Sequence, residues 1–226
     1  MFLSRATLHP TADIGSFIRM TCRNRYREHQ VLWNFFSGDP DAERDFLFRY
    51  ELHHGTLKYF VVSRRMPLDE TGMWEIESKE FNPRLQTGQK LAFVLRANPV
   101  ITVKDKNGKA RRHDVVMHEK YSMGYNKLSV KERPPLQQIV AQGGIKWLSA
   151  RAEKSGFTLS GRSIRAEGYQ QHQARRNHQK IPIQFSTIDF EGILTVNNPD
   201  QFINTLYFGI GKSKAFGCGL LLVRKI

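Results

Sequence analysis

Apolar and polar positions alternate over residues 2 to 9, which predicts a strand that ends at Pro10. Asn24 is placed to cap a helix from about Arg25 to Phe36. Leu32, Phe35 and Phe36 fall on its inner face, and Ser37, Gly38, Asp39 and Pro40 stop it. Arg44 to Leu52 and Leu57 to Ser63 read as a strand pair joined by residues 53–56, and Met73 to Phe81 as a further strand. The order is β-α-β-β-β, with room for a short second helix around Pro67 to Thr71.

A second unit begins at Gly88. Leu91, Phe93 and Leu95 share one face of a strand over residues 90–97, which Asn98 and Pro99 interrupt. Residues 103–133 are polar, basic and aperiodic, and read as loop or partly disordered chain. Leu136 to Ala152 has a helical pattern through Ile139, Val140, Trp147 and Leu148, in which Gly143 and Gly144 are potential breaks. Phe157 to Glu167 reads as a strand. The apolar set 181, 183, 185 then changes parity to Ile188 and Phe190, the mark of a bulge or bend near Ser186 and Thr187. Asn198 caps a helix with Pro199 first and Gln201 completing a capping box; Phe202, Ile203, Leu206 and Ile210 form its stripe. Leu220 to Val223, apolar on both faces, reads as a central strand. Two successive units of this order predict an α+β chain of tandem ferredoxin-like (β-α-β-β-α-β) domains with antiparallel sheets, residues 1–87 and 88–226.

Charge narrows the partners. The 226 residues carry 35 Lys and Arg against 21 Asp and Glu, a net charge of +14. That is the footprint of a protein that meets a phosphate polymer, nucleic acid first. Most of the excess lies in the second half: nine basic and four acidic residues between Lys104 and Arg133, seven and two between Arg151 and Lys180. No apolar run approaches the ~18 residues of a membrane span, and the N-terminus has no signal-like apolar run. Cys22 and Cys218 stand far apart, which predicts neither a disulfide framework nor a cysteine zinc site and fits a reducing cytoplasm. The remaining histidines, among them His53, His54, His113, His118, His172 and His178, have no partners at metal-ligand spacing. No metal and no cofactor is expected.

Near the C-terminus, Gly209, Gly211, Gly217 and Gly219 flank Lys212 and Lys214. Glycine lacks a Cβ, so a polyanion backbone can approach main-chain N–H groups there, with the lysines adding charge. The same letters also fit a tight helix-to-strand turn. Two nucleotide-binding signatures fail. A Walker A loop needs glycine where Leu206 stands, and a dinucleotide fingerprint starting at Gly209 needs it where Lys214 stands.

Four stretches carry a resemblance: Tyr26 to Gln30 with Leu32 and Trp33 behind it; Asp45 to Phe48 after Pro40, Asp41 and Ala42; Leu95 to Pro99; and Phe190, Glu191 and Gly192 through to Gly219, Leu220 and Leu221. Together, in order along almost the whole chain, they resemble the CRISPR-RNA-processing endoribonucleases of the type I-E Cascade complex, the CasE-type branch of the repeat-associated (RAMP) superfamily. The resemblance implies a metal-independent cut on the 3′ side of a CRISPR repeat hairpin. The enzyme, a monomer when free, would then stay on its product and join the other Cascade subunits. It maps the family's catalytic Tyr and His onto Tyr26 and His29. It places Asn34 where some relatives have an additional basic residue. It also likens the stretch from Arg162 and Arg165 through Arg175 and Arg176 to Lys180 to a basic hairpin laid into the RNA groove; a solvated charged loop is the plain alternative.

The chemistry these residues fit is attack by a ribose 2′-OH on the adjacent phosphate. His29 suits either proton transfer because its reference pKa of about 6.5 keeps both forms populated. Tyr26, three positions earlier on a helix, shares its face and can orient the phosphate or stabilise charge. A non-cleaving RNA-binding subunit and a charge-driven nucleic-acid chaperone are the competing expectations.

Overall fold

The computed structural model describes residues 1–9, 31–36, 43–53, 55–160, 163–174 and 182–226. The first unit has four strands: β1 (Phe2–Leu8), β2 (Phe46–His53), β3 (Thr56–Ser63) and β4 (Trp74–Glu80). They pair antiparallel in the spatial order β2-β3-β1-β4. In β1, Ser4, Ala6 and Leu8 are buried, and the next strands send Phe46, Phe48, Tyr59, Val61 and Trp74 to the same core. Residues 31–33 are helical, and Leu32, Phe35 and Phe36 close that core. The predicted inner face of the first helix is thus borne out where it is described; its N-terminal part lies outside the described residues.

No helix forms around Pro67 to Thr71, contrary to expectation. Asp69 competes for the backbone: its carboxylate accepts from the N–H groups of Thr71 and Trp74 at 3.0 and 2.8 Å, an Asx-type turn that delivers Trp74 into β4. Burial pushes the Asp69 carboxyl up, but the Thr71 hydroxyl, which donates to it at 2.6 Å, together with these backbone bonds outweighs burial and leaves the pKa lowered.

The second unit has β5 (Lys90–Ala97), β6 (Val100–Lys104), β7 (Ala110–Asp114), helices α1 (Val115–Ser122) and α2 (Leu136–Ala152), β8 (Phe157–Leu159), β9 (Arg165–Ala174), β10 (Ile183–Val196), α3 (Pro199–Phe208) and β11 (Leu221–Lys225). The sheet runs β11-β5-β10; β9 and β8 then pair with successive stretches of β10. In both units the chain order fourth-first-third-second across the sheet is that of the ferredoxin-like fold. Both sheets are antiparallel throughout, as expected.

Four expectations need correction. Residues 103–133 are mostly ordered structure: the β6–β7 hairpin, α1 and a short 3-10 turn at Tyr125–Lys127. β7 is largely exposed, β6 is only half-buried, and α1 buries only Val115 and Val116, so the hydrophobic signal was weak. Asp114 caps α1 through the Met117 N–H at 2.9 Å and accepts from the Ser186 hydroxyl, tying this insertion to β10. The strand expected over residues 157–167 is two strands, β8 and the longer β9. Gly143 and Gly144 do not interrupt α2. A Cβ on Gly144 would lie 3.0 Å from the Ala166 Cβ and 3.2 Å from the Phe190 ring, so the glycine sets how closely α2 rests on the sheet. Finally, β11 is an edge strand. It is apolar on both faces because Leu220 and Leu222 join Leu47 and Val62 in a third cluster where the two units meet.

The bulge is present, between Thr187 and Asp189, with the additional residue on β9 at Gly168 and Tyr169 opposite Ile188. The parity change along β10 has its own cause. Ile188 and Phe190 face the helices, whereas Phe185, on the opposite face, packs against Phe216 and Cys218. The Asn198 cap of α3 is as expected, its side chain accepting from the Gln201 N–H at 3.1 Å, but the return half of the capping box does not form, because the Asn198 N–H donates to the Gly156 carbonyl at 3.1 Å. Among the described residues no helix is long and apolar enough to cross a membrane.

Candidate nucleic-acid interface

The segment joining α3 to β11 is held at both ends. Gly209 donates its N–H to Thr205 at 2.8 Å, Ile210 to Gly219 at 2.9 Å, and Gly219 to the Arg96 carbonyl at 2.7 Å. In the middle, Lys212 bridges to Asn98, whose side-chain amide donates to the Ser213 hydroxyl at 2.6 Å. A Cβ on Gly209, at φ +72°, would lie 2.6 Å from the Gly219 carbonyl and 2.8 Å from Leu47. A Cβ on Gly217 would lie 3.2 Å from the Phe48 ring. These glycines let the loop lie flat on β2 of the first unit, and the amides of Gly209 and Gly219 are consumed internally. What the loop turns outward is charge: Lys212 is exposed and Lys214 half-buried.

Lys214 sits where that charge is costly. Burial lowers its pKa first, and the positive charges of Arg44 and Lys212 lower it further. Arg44, just ahead of β2, is also pushed down by burial. Its neighbour Asp45 is engaged elsewhere, accepting two bonds of 2.9 Å from Arg65. The Arg65 hydrogen bond is the largest cause of the lowered Asp45 pKa.

The same loop supports the basic arm. Phe216 stacks on Phe185 of β10 with centroids 4.7 Å apart, and Cys218 and Ala174 fill the space beside them. β9 and β10 therefore leave the sheet from the edge of the glycine loop. Arg165 stands at the far end of β9, roughly 30 Å of strand from Ala174 at about 3.3 Å per residue. It pairs with Glu191 at 3.2 Å across the ladder. The structure thus brings together Lys212, Lys214 and the root of the arm, and leaves Arg165 apart from them. Tyr26, His29, Arg162, Arg175, Arg176 and Lys180 lie outside the described residues.

Behind the loop the two units are cross-linked. Arg96 on β5 donates two bonds of 2.9 Å to Asp189 on β10, and Arg49 on β2 approaches the same carboxylate at 3.8 Å. Arg96 also lies over the Tyr50 ring at 5.1 Å, and the Tyr207 hydroxyl donates to the Phe81 carbonyl at 2.9 Å. Elsewhere, His172 contacts the Thr187 hydroxyl at 2.9 Å, and the His113 and His118 rings lie 6.3 Å apart. No group of three His, Cys, Asp or Glu at metal distance occurs among the described residues. Arg44 and Arg64, which line a cleft with Lys214, were not among the residues the sequence singled out; both lie beside strand ends among polar residues.

Two antiparallel ferredoxin-like units, joined so that a cationic glycine loop and the root of a basic arm share one surface, define a tandem ferredoxin-like protein built to meet a polyanion. Its sequence matches the family described as CRISPR associated protein over residues 1–225, and the chain belongs to that family. It is 33% identical over 206 residues to the CRISPR system Cascade subunit CasE of Escherichia coli K12, covering 90% of this chain and 93% of that one. It is 26% identical over 238 aligned residues to the CRISPR-associated endoribonuclease Cse3 of Thermus thermophilus, covering 99% of each. The solved structure of Thermus thermophilus Cse3 bound to an RNA representing a pre-cleavage complex is similar with a TM-score of 0.71 and 28% identity, covering 99% of this chain and 98% of that one.

Proposed function

We propose that this protein is a metal-independent endoribonuclease that cuts CRISPR repeat RNA on the 3′ side of its hairpin and stays on the product as a Cascade subunit. The observation that carries the reading is the shared surface of glycine loop and basic-arm root, in a chain similar from end to end to an endoribonuclease solved with RNA. The domain boundary near residues 87 and 88, a cytoplasmic setting and the site assignments belong to the same proposal.

In this reading His29 and Tyr26 flank the scissile phosphate. The 2′-oxygen loses its proton, attacks phosphorus and closes a 2′,3′-cyclic phosphate; the P–O5′ bond breaks and the leaving oxygen takes a proton, giving a 5′-OH end. His29 performs one of these transfers, and the Tyr26 hydroxyl orients the phosphate or stabilises its developing charge. The nucleophile belongs to the RNA itself. Arg175 and Arg176 at the arm tip, with Lys180 beside them, meet the phosphates of an A-form stem, whose deep major groove hides the bases and is recognised by shape. Arg165, at the other end of β9, and Arg162 before it in the chain contact the RNA only where it extends past the arm. Lys212 and Lys214 add contacts beside the loop.

The test is incubation with the host's own repeat RNA in EDTA. Cleavage to a single product with a cyclic-phosphate 3′ end is expected. Tight binding without cleavage would instead establish a non-cleaving RNA-holding subunit, and equal affinity for a scrambled stem would reduce the protein to a charge-driven chaperone.

A further inference from the structure

Arg44 and Arg64 emerge from the same end of the first sheet. β2 and β3 are paired with Phe46 opposite Ser63, so Arg64 falls opposite Asp45, one position from Arg44; the Arg64 N–H donates to the Asp45 carbonyl at 3.3 Å. Lys214 comes from the second unit, on the 3-10 turn Lys214–Phe216, which the Gly217–Phe48 approach holds against β2. All three cations line one cleft of about 380 Å³ between the units, together with Glu43 and Asp45.

Among the described residues the charges in this cleft do not balance. Asp45 is held by Arg65, and Glu43 is exposed on the rim. Neither Arg44, Arg64 nor Lys214 forms an ion pair with a carboxylate among the described residues. Half-burying Arg44 and Lys214 near each other is unfavourable in the free protein and becomes favourable when an anion enters, while Arg64, which is exposed, lines the same cleft. Two guanidinium forks and an ammonium supply the donors that a phosphate's several oxygens accept.

We infer that Arg44, Arg64 and Lys214 form a single phosphate-binding site at the junction of the two units, and that its ligand is a backbone phosphate of the bound RNA. This rests on the RNA-processing reading above. An RNA phosphate is favoured over a free anion because the cleft adjoins Lys212 and the arm root through the same loop, so an RNA lying along that surface passes the cleft. Occupancy draws one cation from the second unit and two from the first onto one ligand, so it also holds the units together.

The experiment compares wild type, Arg44→Gln, Arg64→Gln, the double variant and Glu43→Gln. Affinity for the host's repeat hairpin is measured across a salt series, alongside thermal unfolding with and without inorganic phosphate. The double variant is expected to bind roughly tenfold more weakly at moderate salt, with the log–log salt slope smaller by about one. Glu43→Gln is expected to bind a few-fold more tightly. Without RNA, Arg44→Gln is expected to unfold at the wild-type temperature or higher, because like-charge crowding has been relieved. Unchanged affinity and slope in the double variant, with wild type binding normally, overturns the inference and leaves the broader reading standing. So does protection by inorganic phosphate that the double variant loses while its RNA binding stays wild-type, since the site would then serve a free anion. A lower unfolding temperature with unaltered RNA binding assigns the arginines a structural role and also overturns it. Wild type that fails to bind the hairpin removes the RNA-processing reading itself.

Discussion

At the residue scale the proposal turns on a few side chains whose removal separates chemistry from grip. His29→Ala is expected to abolish cleavage, a loss of at least about a hundredfold, while hairpin affinity stays within a few-fold; single-turnover cleavage and a binding titration check the two halves. Asp45 carries a pH prediction. Its folded pKa is lowered, so its pairing with Arg65 contributes stability above the unfolded value near 3.9, and that contribution disappears as pH falls through the folded pKa below it. Asp45→Asn should therefore cost about 1 kcal/mol at neutral pH and flatten the acid limb of the stability profile, as denaturant melts from pH 7 to 2 will show. Lys212 and Lys214 were legible as candidates because glycines mark them. Arg44 and Arg64 were not, since nothing in their local letters says that Lys214, far along the chain, shares their cleft.

Among the elements, those with a strong apolar period were readable and the polar ones were not. α2 and α3 were legible from their stripes and from the Asn198 cap, and β5 from the inward set Leu91, Phe93 and Leu95. The hairpin and helix of residues 100–122 were hidden because β7 faces water along most of its length, β6 is only half-buried, and α1 is anchored by a valine pair and one carboxylate cap. Gly144 was misread as a break because a propensity scale records the cost of glycine in a helix and not the neighbour that demands it. Its role gives a direct test. Gly144→Val should drive α2 off Ala166 and Phe190 and destabilise the protein by about 2–3 kcal/mol, measured by chemical denaturation. Asn198→Ala, by contrast, should cost about 1 kcal/mol, the usual loss of a helix cap.

For the whole molecule, the tandem order of two like units could be inferred from the chain, but their mutual placement could not. That placement depends on a cluster of Leu47, Val62 and Leu220 and on Asp189 serving Arg96 and Arg49 at once, contacts between positions that no local period connects. Asp189→Asn keeps the shape of the side chain and removes its charge. We expect it to cost about 1–3 kcal/mol, less than a fully buried pair because the carboxylate is partly exposed, and to separate a single calorimetric transition toward two. The stack of Phe216 on Phe185 has a further consequence at this scale. The arm proposed to seize the stem and the loop proposed to face its phosphates stand on one footing, so neither can shift along the helix without the other. Such a pair works as a caliper: the place of scission is set by a fixed span measured from where the duplex is clasped, and a repeat with its stem lengthened by one base pair should be cut at a correspondingly displaced linkage or not at all.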